Sequence, residues 1–289
     1  MNLSKIAFSL FFLFFFCITN AQDDLFKELD TDTIPKKEIE TAAFKGLQIC
    51  NMQSTKMTSK GEWYMIVSHR FGDLTKGFDN FFGLDDANTE IGGIYGLTNW
   101  LSLGGSRHTL NKIYELTAKY KLANQIKEGF PVTIVGYNTM DINSKLDKYL
   151  LPGLEFNNRL AFSTQVLVSR KFSESFSFQL NPIYIHKNLY EFGLEEKNDF
   201  FIGSGARYKI AKRMSINLEY AARLNKIQGN SSTFQNPLTV GLDIETGGHV
   251  FQLVFSNSQA LNDVAFLSKP AGDWSGGPIY FGFNLYRVF

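Results

Sequence analysis

Between Gly61 and Phe289, apolar and polar side chains alternate with period two in one stretch after another. In the clearest of them Met214, Ile216, Leu218, Tyr220, Ala222 and Leu224 share one parity, and Ser215, Asn217, Glu219, Ala221 and Arg223 share the other. Successive side chains of a strand point to opposite faces, so this segment is a strand with one wholly apolar face and one carrying both signs of charge. Phe200, Ile202, Ala206, Tyr208 and Ile210 oppose Gly203, Gly205, Arg207 and Lys209 in the same way, and Tyr114 to Leu122 sets Glu115, Lys119 and Lys121 against an apolar row. Leu238, Val240, Leu242 and Ile244 oppose Thr239, Gly241, Asp243 and Glu245. The pattern predicts strands near 61–71, 88–97, 99–108, 111–122, 129–138, 157–170, 174–187, 197–210, 213–224, 235–246, 249–256 and 277–289.

A soluble β-sandwich also alternates. These strands, however, run about 10–13 residues, against a globular mode of about 5–6, and a tilted membrane strand needs about 9–11. No second family of short strands is present to cover the apolar faces, so lipid must cover them. The expected fold is therefore all-β: one antiparallel transmembrane barrel of about twelve strands, within a range of ten to fourteen. Connection lengths agree with the parity. Those after even-numbered strands are short, such as Thr98-Asn99, Ala211-Lys212 and Gly247-Gly248, whereas 72–87, 139–156 and 257–276 are long. Short turns on one side and long loops on the other match periplasmic and extracellular ends. No helix is required, although Gly77 to Leu84 has room for one turn.

Composition fits the same picture. Aromatic residues make up 15% of the chain, yet mean hydropathy is only −0.13, as expected where polar and apolar side chains alternate. Trp63, Trp100, Trp274 and the tyrosines suit interface belts.

Ahead of the alternating region, Lys5 precedes an apolar run from Ile6 to Ile18, interrupted only by Ser9 and followed by Thr19-Asn20-Ala21 and then Asp23-Asp24. This order, with a run too short to span a bilayer, predicts a signal peptide over 1–21 that is cleaved before Gln22. Phe14-Phe15-Phe16 before Cys17 is unlike a lipoprotein signal. Cleavage leaves Cys50 as the single cysteine, which excludes a disulfide-stapled secreted domain. It also removes one of the 29 basic residues, so that basic residues balance the 28 acidic ones, and nucleic acid is not an expected partner. Residues 22–60 are polar and of mixed charge, and are read as a periplasmic segment or one tucked into the lumen. Phe44 to Met52 is a possible extra strand, and Asp32-Thr33-Ile34 resembles an O-glycosylation acceptor.

Ser68-His69-Arg70-Phe71-Gly72-Asp73, Phe82-Gly83-Leu84-Asp85-Asp86-Ala87-Asn88 and Tyr95-Gly96-Leu97-Thr98, in this order and spacing, resemble a family of bacterial outer-membrane β-barrels known only as a domain of unknown function. The resemblance runs from about Phe44 to the C-terminus. It implies the barrel architecture and supplies no activity, ligand or catalytic residue.

Chemistry-bearing motifs are sparse. No phosphate loop, paired-Cys metal site or H-E-x-x-H stretch occurs, so no cofactor is expected. The glycines of Gly203-x-Gly205 lie inside a strand and are read as curvature or as room for a neighbouring lumen side chain. Ser68 and His69 are adjacent and face opposite sides, so they do not make a nucleophile–base pair. His69, His108 and His186 fall near the same ends of their strands; the ordinary reading is interfacial aromatic rings, the alternative a metal or haem site. On the polar face, Glu115, Lys119, Lys121, Arg207, Lys209, Glu219, Arg223 and Asp243 either set solute selectivity or form a salt-bridge lattice filling the lumen. In the last strand Ile279, Phe281, Phe283 and Leu285 alternate ahead of Phe289, the form of a barrel-assembly signal. Arg287 interrupts that parity and is expected to snorkel.

The function expected from these features is a passive or selective channel, or a structural membrane protein, with lipid and the barrel-assembly machinery as partners. A transporter of hydrophobic compounds plugged by 22–60, with Phe78, Phe81 and Phe82 capturing ligand, is the alternative. An outer-membrane hydrolase comes third.

Overall fold

The computed structural model describes residues 38–227 and 233–289. The expected signal peptide over 1–21 and the Asp32-Thr33-Ile34 triplet lie outside them. Twelve strands form one closed antiparallel barrel in which each strand pairs with its sequence neighbours and the last pairs with the first. They are β1 (Trp63–Asp73), β2 (Asn88–Gly96), β3 (Leu101–His108), β4 (Ile113–Ala123), β5 (Thr133–Asn143), β6 (Leu160–Lys171), β7 (Phe176–Lys187), β8 (Asn198–Ala211), β9 (Met214–Arg223), β10 (Leu238–Thr246), β11 (His249–Ser256) and β12 (Tyr280–Val288). Closure removes the open edges that an unpaired strand would present.

The barrel is mostly polar inside, with apolar lumen patches that include Ile66, Val135, Ile183, Phe201 and Val254, and apolar outside. Leu218 is 48% exposed while its neighbour Glu219 is 1% exposed, and strand after strand repeats that alternation. A continuous outer belt containing Ile91, Leu103, Leu116, Phe200 and Ile216 would be intolerable in water and is what acyl chains cover. Among the described residues no helix is long and apolar enough to cross a membrane.

The bounds of β5 and the loop after β11 differ from the sequence expectation. β5 runs Thr133–Asn143 rather than 129–138. Pro131 cannot donate to the ladder, and the alternation continues past Asn138 through Thr139, Asp141 and Asn143. The turn from β4 to β5 is accordingly longer than its parity suggested. The loop after β11 carries a short helix, α1 (Asp263–Ser268), which turns into the barrel and buries Val264, Phe266 and Leu267 against Ile183, Ile185 and Phe201. A kinked 3-10 segment occupies Leu74–Gly83. Phe44 to Met52 is not a thirteenth strand; within it and just beyond, only an isolated bridge, Gln48 with Gln53, forms.

The seam between β1 and β12 is closed by main-chain bonds between Trp63 and Phe289, whose rings stack with centroids 4.3 Å apart. Arg287 is exposed on the outer face and lies over the Phe289 ring at 4.5 Å.

Candidate functional site

The lumen is occupied by the protein's own chain. Residues 43–58 enter from the turn end, where β1 begins, and all but Lys45 are buried or half-buried. Two features of the wall make room for them. A Cβ at Gly205 would collide with the Ile49 side chain, and one at Gly241 with the Cys50 sulfur, so these strand glycines are the close-approach kind rather than breaks in the ladder.

The wall then satisfies the backbone of this segment, which forms almost no regular structure of its own. The Glu219 carboxylate accepts bonds from three consecutive amides, those of Cys50, Asn51 and Met52, at 2.9–3.0 Å. The buried Lys119 ammonium donates to the carbonyls of Leu47, Ser54 and Lys56, using the three donors that a lysine has. Gln179 accepts from the Thr55 amide and donates to the Gln53 carbonyl. Gln252 and Asn217 both donate to the Ile49 carbonyl, and Asn284 to that of Cys50. Arg70, wholly buried, bridges Asn51 and Asn284. Burial pushes the Cys50 thiol well above its usual range, and the Glu219 and Asp243 charges add to this.

From the opposite, loop end, residues 257–268 descend toward the segment. Asn262 donates to Asp141 at 2.7 Å and Gln165 to Asp263 at 2.7 Å. Burial, with the charges of Asp141 and Glu90, pushes the Asp263 carboxyl up to about 8. Clefts remain at both ends. One of 390 Å³ at the loop end includes Asp141, Arg159, Lys187 and Asn262; one of 440 Å³ at the turn end includes Lys45, Lys56, Arg213 and Glu245.

The eight charged residues singled out on the polar face all lie on the lumen parity, but they do not make one lattice. Glu219 and Lys119 hold the inserted segment. Arg207 pairs with Glu245 at 2.9 Å and bonds Ser215. Arg223 pairs with Asp199 and donates to the Ser268 carbonyl, tying down the end of α1. Asp243 accepts from Gln252, and Glu115 stands opposite Asp141 across β4 and β5. Lys121 and Lys209 are half-buried near the turn ends of their strands. Much of the grip on 43–58 comes from neutral amides, Gln179, Asn217, Gln252 and Asn284, and from Arg70. Parity alone places these residues in the lumen, but charge gives no sign of the amides.

The three histidines do not converge. His69 and His186 lie on the outer parity of β1 and β7 and bond Thr89 and Asn198 respectively, while His108 is buried in the lumen. Ser106 lies 2.8 Å from His108 Nε2, two residues away on the same face, a serine–histidine contact between residues that are not adjacent in sequence. Glu115 Oε1 is 3.9 Å from that same Nε2, and Nδ1 has no partner. A catalytic triad needs its acid on Nδ1, so the arrangement is not one.

No curated protein matches the chain. The fold is similar to that of the KdgM porin solved with disordered oligogalacturonate, with a TM-score of 0.50 and 9% identity over 78% of this chain and 99% of that one. It is also similar to the NanC porin, with a TM-score of 0.49 and 11% identity over 78% and 99%. An outer membrane channel from Pseudomonas putida F1 gives a TM-score of 0.45 and 13% identity over 81% and 97%. At these identities the likeness is one of fold. With the pattern of one family matching residues 44–289, which takes in both the inserted segment and all twelve strands, the chain belongs to the membrane bound beta barrel domain family (DUF5777).

Proposed function

We propose that the protein is an outer-membrane channel whose polar lumen is closed at rest by residues 43–58 and opens when that segment withdraws. The observation that carries this reading is the way the segment is held: wall side chains bond to its backbone. Those side chains hydrate readily, and a neutral bond of this kind is worth only about 0.5–1.5 kcal/mol net. Withdrawal would leave a lumen lined by Arg70, Lys119, Gln179, Glu219 and Asn284, polar groups that water wets, beside the apolar Ile66, Ile183, Phe201 and Val254. Single-channel recording tests it: the intact protein should be silent for most of the record, with discrete openings. A barrel that stays silent at all voltages, with and without the segment, would end the proposal.

A second reading rests on a separate feature. Phe78, Phe81 and Phe82 are all exposed on the kinked segment after β1, with Phe78 and Phe82 in edge-to-face contact at 4.8 Å. Such a patch suits capture of a hydrophobic compound. Lipid or fatty acid co-purifying with wild-type protein, and lost from a Phe78→Ser, Phe82→Ser double variant, would favour the transporter. The Ser68–His69 pair gives a hydrolase no support, because Ser68 faces the lumen and His69 the outer surface.

The route to the membrane follows from the leader and the seam. The protein is exported with cleavage before Gln22, which N-terminal mass measurement should show. Phe281, Phe283, Leu285 and Phe289 form the row recognised by the barrel-assembly machinery, and Phe289 also closes the seam on Trp63. Deleting Phe289 should cut the heat-modifiable, inserted fraction severalfold while export continues. Unchanged migration of the truncated protein would remove the row from this role. The short turns face the periplasm, so a protease site at Tyr149, between β5 and β6, should be cut in intact cells and one at Gly247 should not.

A further inference from the structure

The lumen wall near the loop end carries a group of buried carboxyls, Glu90, Glu115 and Asp141. Glu90 on β2 stands directly opposite His108 on β3, and Glu115 on β4 lies opposite Ser106, two residues before that histidine. Three adjacent strands thus bring two carboxyls and an imidazole together, and one donor atom from each lies within 4.8 Å of the other two. All three side chains are at least nine-tenths buried, His108 being 2% exposed. Asp141, opposite Glu115 on the next strand, adds a third carboxyl at the edge of the group.

The group is also left unsatisfied. Glu90 Oε2 and His108 Nδ1 are each buried without a hydrogen-bond partner, and the Glu115 and Asp141 carboxyls bond only one another on the side where they meet. A single orphan is ordinary, but two on directly opposed residues, beside a pair of carboxyls that must share a proton, are not, because each costs about 1–3 kcal/mol. The nearest buried ammonium is spent elsewhere, since Lys119 is directed at three carbonyls of the inserted segment.

We propose that Glu90, His108 and Glu115 bind a divalent transition cation inside the barrel, with Asp141 beside it. Two carboxylates neutralise such an ion, and the imidazole selects for it over calcium and magnesium, which take oxygen donors. Ser106, bonded to His108, fixes the ring as an outer-shell partner does at metal sites. The loop-end cleft reaches the edge of the group at Asp141 and Asn262. The ion would tie β2, β3 and β4 together beneath residues 257–268. The site stands apart from the contacts that hold 43–58, so it does not depend on the channel reading.

The test uses the full barrel refolded in detergent, stripped with chelator and titrated with zinc by calorimetry, with cobalt as a spectroscopic probe. Wild-type protein should bind one equivalent of zinc and develop the visible bands of cobalt held by mixed nitrogen and oxygen donors. His108→Gln and Glu90→Gln should each weaken zinc binding by about tenfold or more, whereas Glu174→Gln on an exposed turn should not. Zinc should raise the urea midpoint of the wild type and leave that of the His108→Gln variant unmoved. Heat-modifiable migration shows which variants fold, and Glu90→Gln serves if His108→Gln does not. Absence of stoichiometric zinc in the wild type, or zinc binding left equal in the variants, would overturn the proposal.

Discussion

A barrel lacking residues 39–58 should conduct ions steadily in planar bilayers where the full-length protein is closed for most of the record. The deletion removes the segment that fills the lumen from the turn end, keeps residues 257–268 at the loop end, and leaves the twelve-strand ladder intact, since among the described residues of that stretch only an isolated bridge, Ile39 with Ile126, joins it to another part of the backbone. The same result should follow in weaker form from a single substitution. Glu219→Ala deprives three consecutive amides of their shared acceptor. Bonds to a charged group are worth about 1.5–3 kcal/mol, so a loss of about 3 kcal/mol would raise the open population on the order of a hundredfold. Cys50 gives an independent readout. Buried, with its thiol held in the protonated form, it should resist maleimide in the wild type and react in Glu219→Ala while the barrel still migrates as folded. In the deleted barrel, Glu219→Gln should shift selectivity toward anions, because it removes a negative charge from a wall that also bears Arg70 and Lys119. Protection of Cys50 in Glu219→Ala, together with a silent deletion variant, would mean that 43–58 is a permanent part of the core and that the barrel serves a structural purpose.

The membrane fold is legible in the sequence because one physical requirement, a lipid face opposite a polar face, is written into the strands at period two. Where a second constraint acts, the pattern misleads. At β5, Pro131 and the turn residues before Thr133 imitate a strand start, so the expected strand is displaced by about half its length. The helix after β11 is not legible because Asp263–Ser268 spans only six residues, too few to show a helical period, and it exists because Phe266 and Leu267 find apolar wall residues to cover them. The site is legible in part. Parity places the eight charged residues in the lumen, and strand glycines suggest room for a neighbouring side chain, which Ile49 and Cys50 occupy. What parity does not supply is the partner of each residue. A carboxylate such as Glu219 reads alike whether it faces water, a lysine or three amides from a distant chain segment, and that segment has no periodicity of its own to announce where it docks. The Glu90, His108 and Glu115 group is hidden for a related reason. Its members are scattered along the sequence, and only strand register, Glu90 against His108 and Ser106 against Glu115, sets them side by side.

Leu218→Arg should prevent most of the protein from inserting, whereas a change of charge is tolerated one residue further on. Leu218 sits mid-strand on the outer belt, 48% exposed and flanked across the ladder by Val240 and Ala206. An arginine on the lipid face near the bilayer midplane costs about 2–4 kcal/mol in barrels, a large share of the about 5–15 kcal/mol that separates folded from unfolded in most domains. The guanidinium cannot snorkel as Arg287 does, because Arg287 lies one residue before the end of its strand and Leu218 has several residues of strand on either side. Urea unfolding in lipid vesicles should therefore show a clear drop in midpoint for Leu218→Arg. Glu219→Gln, by contrast, keeps the side chain's shape and an acceptor oxygen for the inserted segment, so it should insert into vesicles as efficiently as the wild type and alter only how the lumen is filled. Ile216 stands on the same outer row, 44% exposed and opposite Leu242 and Tyr208, and Ile216→Arg should repeat the loss seen at 218. If arginine at 216 and 218 left insertion and stability unchanged, the alternation would not divide lipid from lumen, and a membrane barrel with this register would be excluded.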